Sequence, residues 1–181
     1  GSEIQIISDR EVVGYTRIRG GWNNGRAYTV YFYAETDQPF EHTATWKADK
    51  ITDEKSQYDS HQKTGALLRF SSSADIVQLK VGISYLSSQK ARQNAHSDIP
   101  HWSFETVHQR LLSQWEGLFR KIEISPRSPK AQKRMFYTAL YHTMIMPVDR
   151  SGENPLWADS EPYYDDFYAI WDTYRTSSPL I

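Results

Sequence analysis

Val77-Gln78-Leu79-Lys80-Val81-Gly82-Ile83-Ser84-Tyr85 decides the fold class. Every second residue is apolar, which is the period of a strand whose two faces meet different surroundings. The pattern predicts that Leu79, Val81 and Ile83 enter a core while Lys80, Gly82 and Ser84 face outward. Upstream lie further strand signals: Ile4, Ile6 and Val12-Val13-Gly14-Tyr15, the dense run Tyr28-Thr29-Val30-Tyr31-Phe32-Tyr33, then Thr43-Ala44-Thr45-Trp46 and Ala66-Leu67-Leu68-Arg69-Phe70. Asp49 through Lys63 is polar and reads as a loop. Short strands separated by turn residues predict an antiparallel β-sandwich over residues 1–98.

The pattern changes near Pro100. Apolar residues fall at Phe104, Val107, Leu111, Trp115, Leu118 and Ile122, spaced by three and four, so they share one helical face. Ser103 is placed to cap this helix, and Glu105 sits in its first turn, where the helix dipole favours an acid. Residues 99–124 therefore read as a helical linker. A second helix is predicted from Ser128-Pro129, with Ser as cap and Pro at the first helical position, running to about Met146 before Pro147. Residues 148–170 read as an aromatic, acidic loop, and a third helix is expected to begin near Asp172. The expected class is mainly β with α, and residues 125–181 read as the opening of a helical domain.

Composition excludes several functions. With 21 Lys+Arg against 22 Asp+Glu, the chain carries no field that would attract nucleic acid or an anionic membrane. No run of about 18 apolar residues predicts a membrane span. Cysteine is absent, so neither disulfides nor thiolate metal sites are available. No signal peptide is present, but Gly1-Ser2 reads as a tag-cleavage scar, so this says nothing against export. Aromatic residues make up 14%. They suit a pleated core, and equally the apolar C–H faces of sugar rings.

Four segments resemble glycoside hydrolase family 92. The first is Gly20-Gly21-Trp22, with Tyr31-Phe32-Tyr33-Ala34 and Pro39-Phe40. The second is Lys80-Val81-Gly82-Ile83-Ser84-Tyr85-Leu86-Ser87, with Ala91 and Asn94. The third is Ile99-Pro100-His101-Trp102-Ser103-Phe104, continuing to Trp115, Leu118 and Ile122. The fourth is Phe136-Tyr137-Thr138-Ala139-Leu140-Tyr141-His142-Thr143, with Pro147, Trp171-Asp172-Thr173-Tyr174-Arg175 and Pro179-Leu180. The resemblance implies an N-terminal super-sandwich, a linker helix and the beginning of an (α/α)6 barrel. It also implies an exported, calcium-dependent, inverting exo-α-mannosidase acting on mannose-containing glycans. In such enzymes the catalytic acid and base, and most calcium ligands, lie in the barrel beyond the motifs present here. No catalytic or metal-binding residue is therefore expected within residues 1–181, and this chain alone is expected to be inactive without the rest of its barrel domain.

Three residues are candidates for substrate contact by that resemblance. Trp22 follows two glycines that permit a tight turn, and its alternative is a core Trp. Trp171 and Asp172 belong to the fourth segment. A carboxylate at Asp172 would accept hydrogen bonds from adjacent sugar hydroxyls, and its alternative is a helix N-cap. Asp165-Asp166, with Asp159 and Glu161 nearby, read as a solvated acidic loop, because nothing gives any two of them an opposed geometry. His142 reads as a packing or capping histidine, and the other five histidines show no metal-like spacing. Two other functions remain open on these residues: a free-standing carbohydrate-binding sandwich, and an interaction domain using the apolar helix face.

Overall fold

The computed structural model describes residues 1–20, 23–157, 161–167 and 170–174, with the side chains of residues 23–25 and Asp172 outside that description. The chain forms two compact units, Gly1–Trp102 and Ser103–Ile181. It is mostly antiparallel sheet, followed by helices.

In the first unit, β1 (Ser2–Ile6), β2 (Glu11–Gly20) and β3 (Asn23–Thr36) form a meander. β4 (His42–Lys47), β5 (Lys50–Thr52), β6 (Ser56–Asp59), β7 (Thr64–Arg69) and β8 (Leu79–Ser84) follow. They build a five-stranded sheet in the order β6-β1-β2-β3-β8 and a three-stranded sheet in the order β5-β4-β7. β5 and β6 occupy the stretch expected to be a loop. Its polar residues pair through the backbone, which hydropathy does not report: Lys50 to Thr52 face Lys47 to Thr45, and Ser56 to Asp59 face Gln5 to Ser2. Thr45 and Gln57, both buried, satisfy their side chains on Glu54 and Thr52.

The two faces of the large sheet carry different contents. On one, Ile4, Ile6 and Val12 pack with Phe40, and Phe32, Ala66, Leu68 and Phe70 close around them. This is the sandwich core between the two sheets. On the other face lies α1 (Ser88–Asp98), against β8 and β3. Its Ala91 and Ala95 pack with Tyr33 and Val13. The sequence reading missed α1 because only two alanines of it are buried, leaving no apolar stripe to detect. The local signal was the cap: the Ser87 hydroxyl accepts from the Lys90 N–H at 3.0 Å.

α1 also reverses the expected orientation of β8. The alternation is present, but Lys80 and Ser84 are the buried residues, at 6% and 1% exposure, while Leu79 and Ile83 are 59% and 56% exposed. The reason is the helix. A Cβ on Gly82 would lie 2.1 Å from the Ala91 carbonyl oxygen and 2.8 Å from Ala95, so the face under α1 admits no bulk there. Lys80 lies 4.1 Å over the Trp102 ring, a cation–π contact that compensates its burial. The apolar set therefore takes the opposite face.

In the second unit, α2 (Phe104–Phe119) starts where expected, with the Ser103 hydroxyl accepting from the Thr106 N–H at 3.2 Å and Glu105 in the first turn. It ends before Ile122. α3 (Lys130–Thr143) differs at both ends from the expectation. Pro129 holds the cap position, no side chain caps the first turn, and the helix stops at Thr143 rather than Met146. The residue before a proline is driven out of the α region, and the chain leaves the helix ahead of that constraint. Trp115 meets Tyr141 at 4.8 Å between ring centroids and Phe119 meets Tyr137 at 5.8 Å, an aromatic seam joining the two helices. β9 (Val148–Asp149), β10 (Tyr164–Asp165) and α4 (Ile170–Thr173) complete the described elements.

Candidate functional site

The β2–β3 hairpin carries the first candidate segment. The two strands pair continuously from Glu11↔Glu35 to Ile18↔Tyr28, then after an irregularity Gly20 pairs with Asn23. Gly20 has φ +109°, which an L side chain rarely adopts. Trp22 itself lies outside the described residues.

The second candidate segment falls within residues 148–174, and its described residues are braced between residues 148 and 166. β9 and β10 pair antiparallel at its base, Tyr164 facing Asp149 and Asp165 facing Val148. The Arg150 N–H donates to the Tyr163 carbonyl at 2.7 Å, and the Tyr163 N–H donates to the Ser151 hydroxyl at 3.0 Å. The Arg150 guanidinium donates to Asp166 Oδ2 at 3.1 Å and lies 3.9 Å from Asp165 Oδ2. Asp166 has φ 68°, the left-handed region that Asp tolerates better than most residues. Asp149 accepts the Ser151 hydroxyl at 2.6 Å and its N–H at 2.9 Å, and these bonds hold its carboxyl below the usual carboxylate range. Further along the loop the Trp157 ring stands edge-on to Tyr163 at 5.8 Å.

This corrects the reading of Asp165-Asp166 as a solvated acidic loop. The correction applies to Asp166, which is three-quarters buried and accepts from Arg150, while Asp165 stays half exposed, 3.9 Å from the same guanidinium. An inverting glycosidase needs two carboxyls roughly 6.5–9.5 Å apart on opposite faces of the sugar, whereas these two converge on one cation. Arg150 was missed because it lies fifteen residues before its partner Asp165, a separation with no local periodicity. The Ser151-Gly152 turn next to it was the available clue.

Trp171 lies in α4 and is 77% exposed. Asp172 lies inside the same turn of helix. Ile170 opens it, its carbonyl accepting the Tyr174 N–H at 3.1 Å. The N-cap alternative for Asp172 is thus removed, since the helix starts two residues earlier. His142 lies near the end of α3, its ring 5.7 Å from Tyr141. His96 sits 3.0 Å from Glu35 Oε2 and 3.5 Å from the Tyr33 hydroxyl.

No group of three or more His, Asp or Glu able to hold a metal ion occurs among the described residues. Calcium takes six to eight oxygen ligands, and of the adjacent Asp165 and Asp166, Asp166 already accepts from Arg150. The described residues do not fit a calcium site.

Residues 1–84 match the glycosyl hydrolase family 92 N-terminal domain, and residues 90–181 match the glycosyl hydrolase family 92 catalytic domain. The chain belongs to glycosyl hydrolase family 92. Among curated proteins, this family 92 chain is similar to an uncharacterized secreted glycosidase of Arthroderma benhamiae, 38% identical over 119 residues, covering 62% of this chain and 16% of that protein. Among solved structures it is similar to a family 92 inverting mannosidase from Bacteroides thetaiotaomicron, with TM-score 0.83 and 23% identity, over 99% of this chain and 26% of that one. It is also similar to a family 92 α-mannosidase from the same organism, with TM-score 0.80 and 25% identity, over 99% of this chain and 25% of that one. The same α-mannosidase has been solved in complex with mannoimidazole, and that structure matches with TM-score 0.77. The chain thus spans about a quarter of the solved relatives' length and less of the curated one.

Proposed function

We propose that these 181 residues are the substrate-facing N-terminal portion of an exo-acting, inverting α-mannosidase that removes terminal α-linked mannose from glycans. The observation that carries this reading is the family order: an N-terminal-domain match followed directly by a catalytic-domain match. Support for mannose comes from the solved relatives described as mannosidases, one of them holding mannoimidazole. Support for export comes from the secreted glycosidase relative, and no helix among the described residues is long and apolar enough to cross a membrane.

In this reading Trp22 and Trp171 offer flat apolar faces to the pyranose ring, and Asp172 accepts hydrogen bonds from two neighbouring hydroxyls. Trp171 is 77% exposed, so its ring is open to such a contact. The acid, the base and the calcium ligands come from the remainder of the (α/α)6 barrel. In this reading residues 1–181 alone do not turn substrate over, because the acid and the base lie in that remainder.

The test is an assay of this chain and of the complete polypeptide on an aryl α-mannoside and on mannobiose, with calcium. Turnover by the complete polypeptide alone is expected. Turnover by the 181 residues would sink the claim of inactivity, and none by either would sink the mannosidase reading. In the complete enzyme, Trp22→Ala and Trp171→Ala should each lower kcat/KM without lowering Tm. A lowered Tm with unchanged kcat/KM would instead mark a packing role.

A further inference from the structure

The near-neutral total conceals a segregation of charge within the helical unit. Six of the chain's 21 Lys and Arg fall in residues 120–134 (Arg120, Lys121, Arg127, Lys130, Lys133 and Arg134), against one acid, Glu123. Residues 148–166 are the reverse, with six acids and Arg150 as their one base. The fold gathers the basic residues at one end of α3. In the turn between α2 and α3 the Ser128 N–H donates to the Ser125 carbonyl at 3.0 Å, and Lys133 Nζ donates to the Pro126 carbonyl at 2.9 Å, which lays that turn on the start of α3. The Tyr137 hydroxyl donates to the Ile122 carbonyl at 3.3 Å and ties the chain after α2 to the same helix. Arg120 is engaged by Glu116 at 3.2 Å, and Lys133 by the turn. Lys121, Arg127, Lys130 and Arg134 are exposed, and their side chains make neither an ion pair nor a hydrogen bond among the described residues. No acid stands in the first turn of α3 to offset them. Lys130 and Arg134 are like charges four apart on a helix, an arrangement that weakens it and that an anion between them reverses.

We propose that Lys121, Arg127, Lys130 and Arg134 form a docking surface for an acidic polysaccharide, separate from the candidate sugar-contact residues. The choice of a polysaccharide rests on the proposed reading of the chain as part of a glycan-cleaving enzyme. α3 has 14 residues, which at 1.5 Å each is about 21 Å. The basic turn lies at its N-terminal end, and the acidic stretch begins at Val148, five residues past its C-terminal end. Anionic groups are drawn to the first and repelled by the second, which leaves the acidic stretch to uncharged sugars. The chain has a net charge of −1 and so no long-range pull. The cluster acts at contact range, within a Debye length of about 8 Å, and this suits a polymer that the enzyme already holds. Ser125, Ser128 and Gln132 lie between the cations in sequence and bring hydroxyl and amide groups suited to sugar hydroxyls. Nucleic acid fits less well, because residues 120–134 contain no aromatic side chain on which a base could stack. A bilayer also fits less well, because Met135 is the one exposed large apolar residue between Leu112 and Tyr141, too little for an inserting face. Burial under the rest of the polypeptide would require an acid for each cation, whereas a hydrated polymer leaves their water in place.

Calorimetric titration of the complete polypeptide with dextran sulfate and with neutral dextran tests this. Dextran sulfate should bind, with an affinity that falls as salt rises, and neutral dextran should not. The combined variant Arg127→Glu, Lys130→Glu, Arg134→Glu should weaken dextran sulfate binding by about tenfold or more and flatten its salt dependence. Turnover of a small aryl α-mannoside should stay within about twofold, since these side chains do not touch it. Absence of dextran sulfate binding overturns the proposal, and so does binding that the variant leaves unchanged. Tighter binding to a DNA duplex or to phosphatidylserine vesicles assigns the patch to another polyanion and also overturns it. Should the combined variant not fold, Arg127→Gln and Arg134→Gln singly decide: each should lower the salt slope by about one, and unchanged slopes refute the patch. Dextran sulfate contains no mannose, so the two readings fail separately. Lost turnover with binding intact sinks the mannosidase reading, and lost binding with turnover intact sinks this one.

Discussion

The β unit closes cores on itself, whereas the helical unit hardly does. In the first unit Ile4, Ile6, Val12 and Phe40 are buried between sheets, and Tyr33, Ala91 and Ala95 are buried beneath α1. In the second, Leu140 is the one buried apolar residue among those described, and α2 buries none. Both units carry strong local signals for their elements. The difference is in layers. A sheet with a helix on one face and a second sheet over part of the other buries a centre on each side, although Leu79 and Ile83 of β8 stay exposed, while two helices joined by an aromatic seam leave nearly all of their faces in water. The helical unit is therefore the part whose order depends most on what else packs against it.

Substitutions at the two centres test this contrast most strongly. Tyr33→Ala should destabilise the β unit by about 3–5 kcal/mol, as for a large aromatic removed from a full core. It also withdraws the partner of the Glu11 carboxylate at 2.6 Å and the ring under Arg92. Leu140→Ala should cost less, about 2–3 kcal/mol, because its half-open surroundings can relax. Denaturant unfolding followed by circular dichroism gives both values. A Leu140→Ala cost equal to or above that of Tyr33→Ala would break the comparison and show a closed helical core.

Smaller effects sharpen it. Ser103→Ala removes the hydroxyl that accepts the Thr106 N–H, and should cost about 1 kcal/mol. The loss should appear as faster hydrogen exchange in the first turn of α2 and leave β-unit amides unchanged. Spread of the effect into β3 or β8 would show that the two units unfold together. The smallest effect is at high pH. Burial first, and then the hydrogen bond to Glu11, push the Tyr33 hydroxyl well above the ordinary tyrosine value. The folded state thus holds this proton more tightly than the unfolded one. The contribution is complete below about pH 10 and is lost as pH rises from there through the folded value. Tyr33→Phe should flatten that alkaline decline of Tm, and an unchanged slope would assign it to other groups.

The brace at residues 148–166 and the α1 interface show what sequence left open. Capping and apolar spacing located α2 from Ser103, and alternation located β8. Hydropathy failed at β5 and β6, where polar residues pair through the backbone, and at α1, where alanines do the packing. Of the three candidate contact residues, Trp171 is exposed in α4, the Asp172 backbone lies in that helix, and Trp22 lies outside the described residues.

The sequence by itself determined that Leu79, Val81 and Ile83 lie on one side of a strand and Lys80, Gly82 and Ser84 on the other, because a period of two is a property of the backbone. Only the tertiary structure decided which side is buried. That choice belongs to α1, whose backbone comes too close to Gly82 for any larger residue and leaves the apolar side turned away from it. The same holds for Arg150 and Asp165-Asp166: their charges are written in the sequence, but the fold brings them together across the loop.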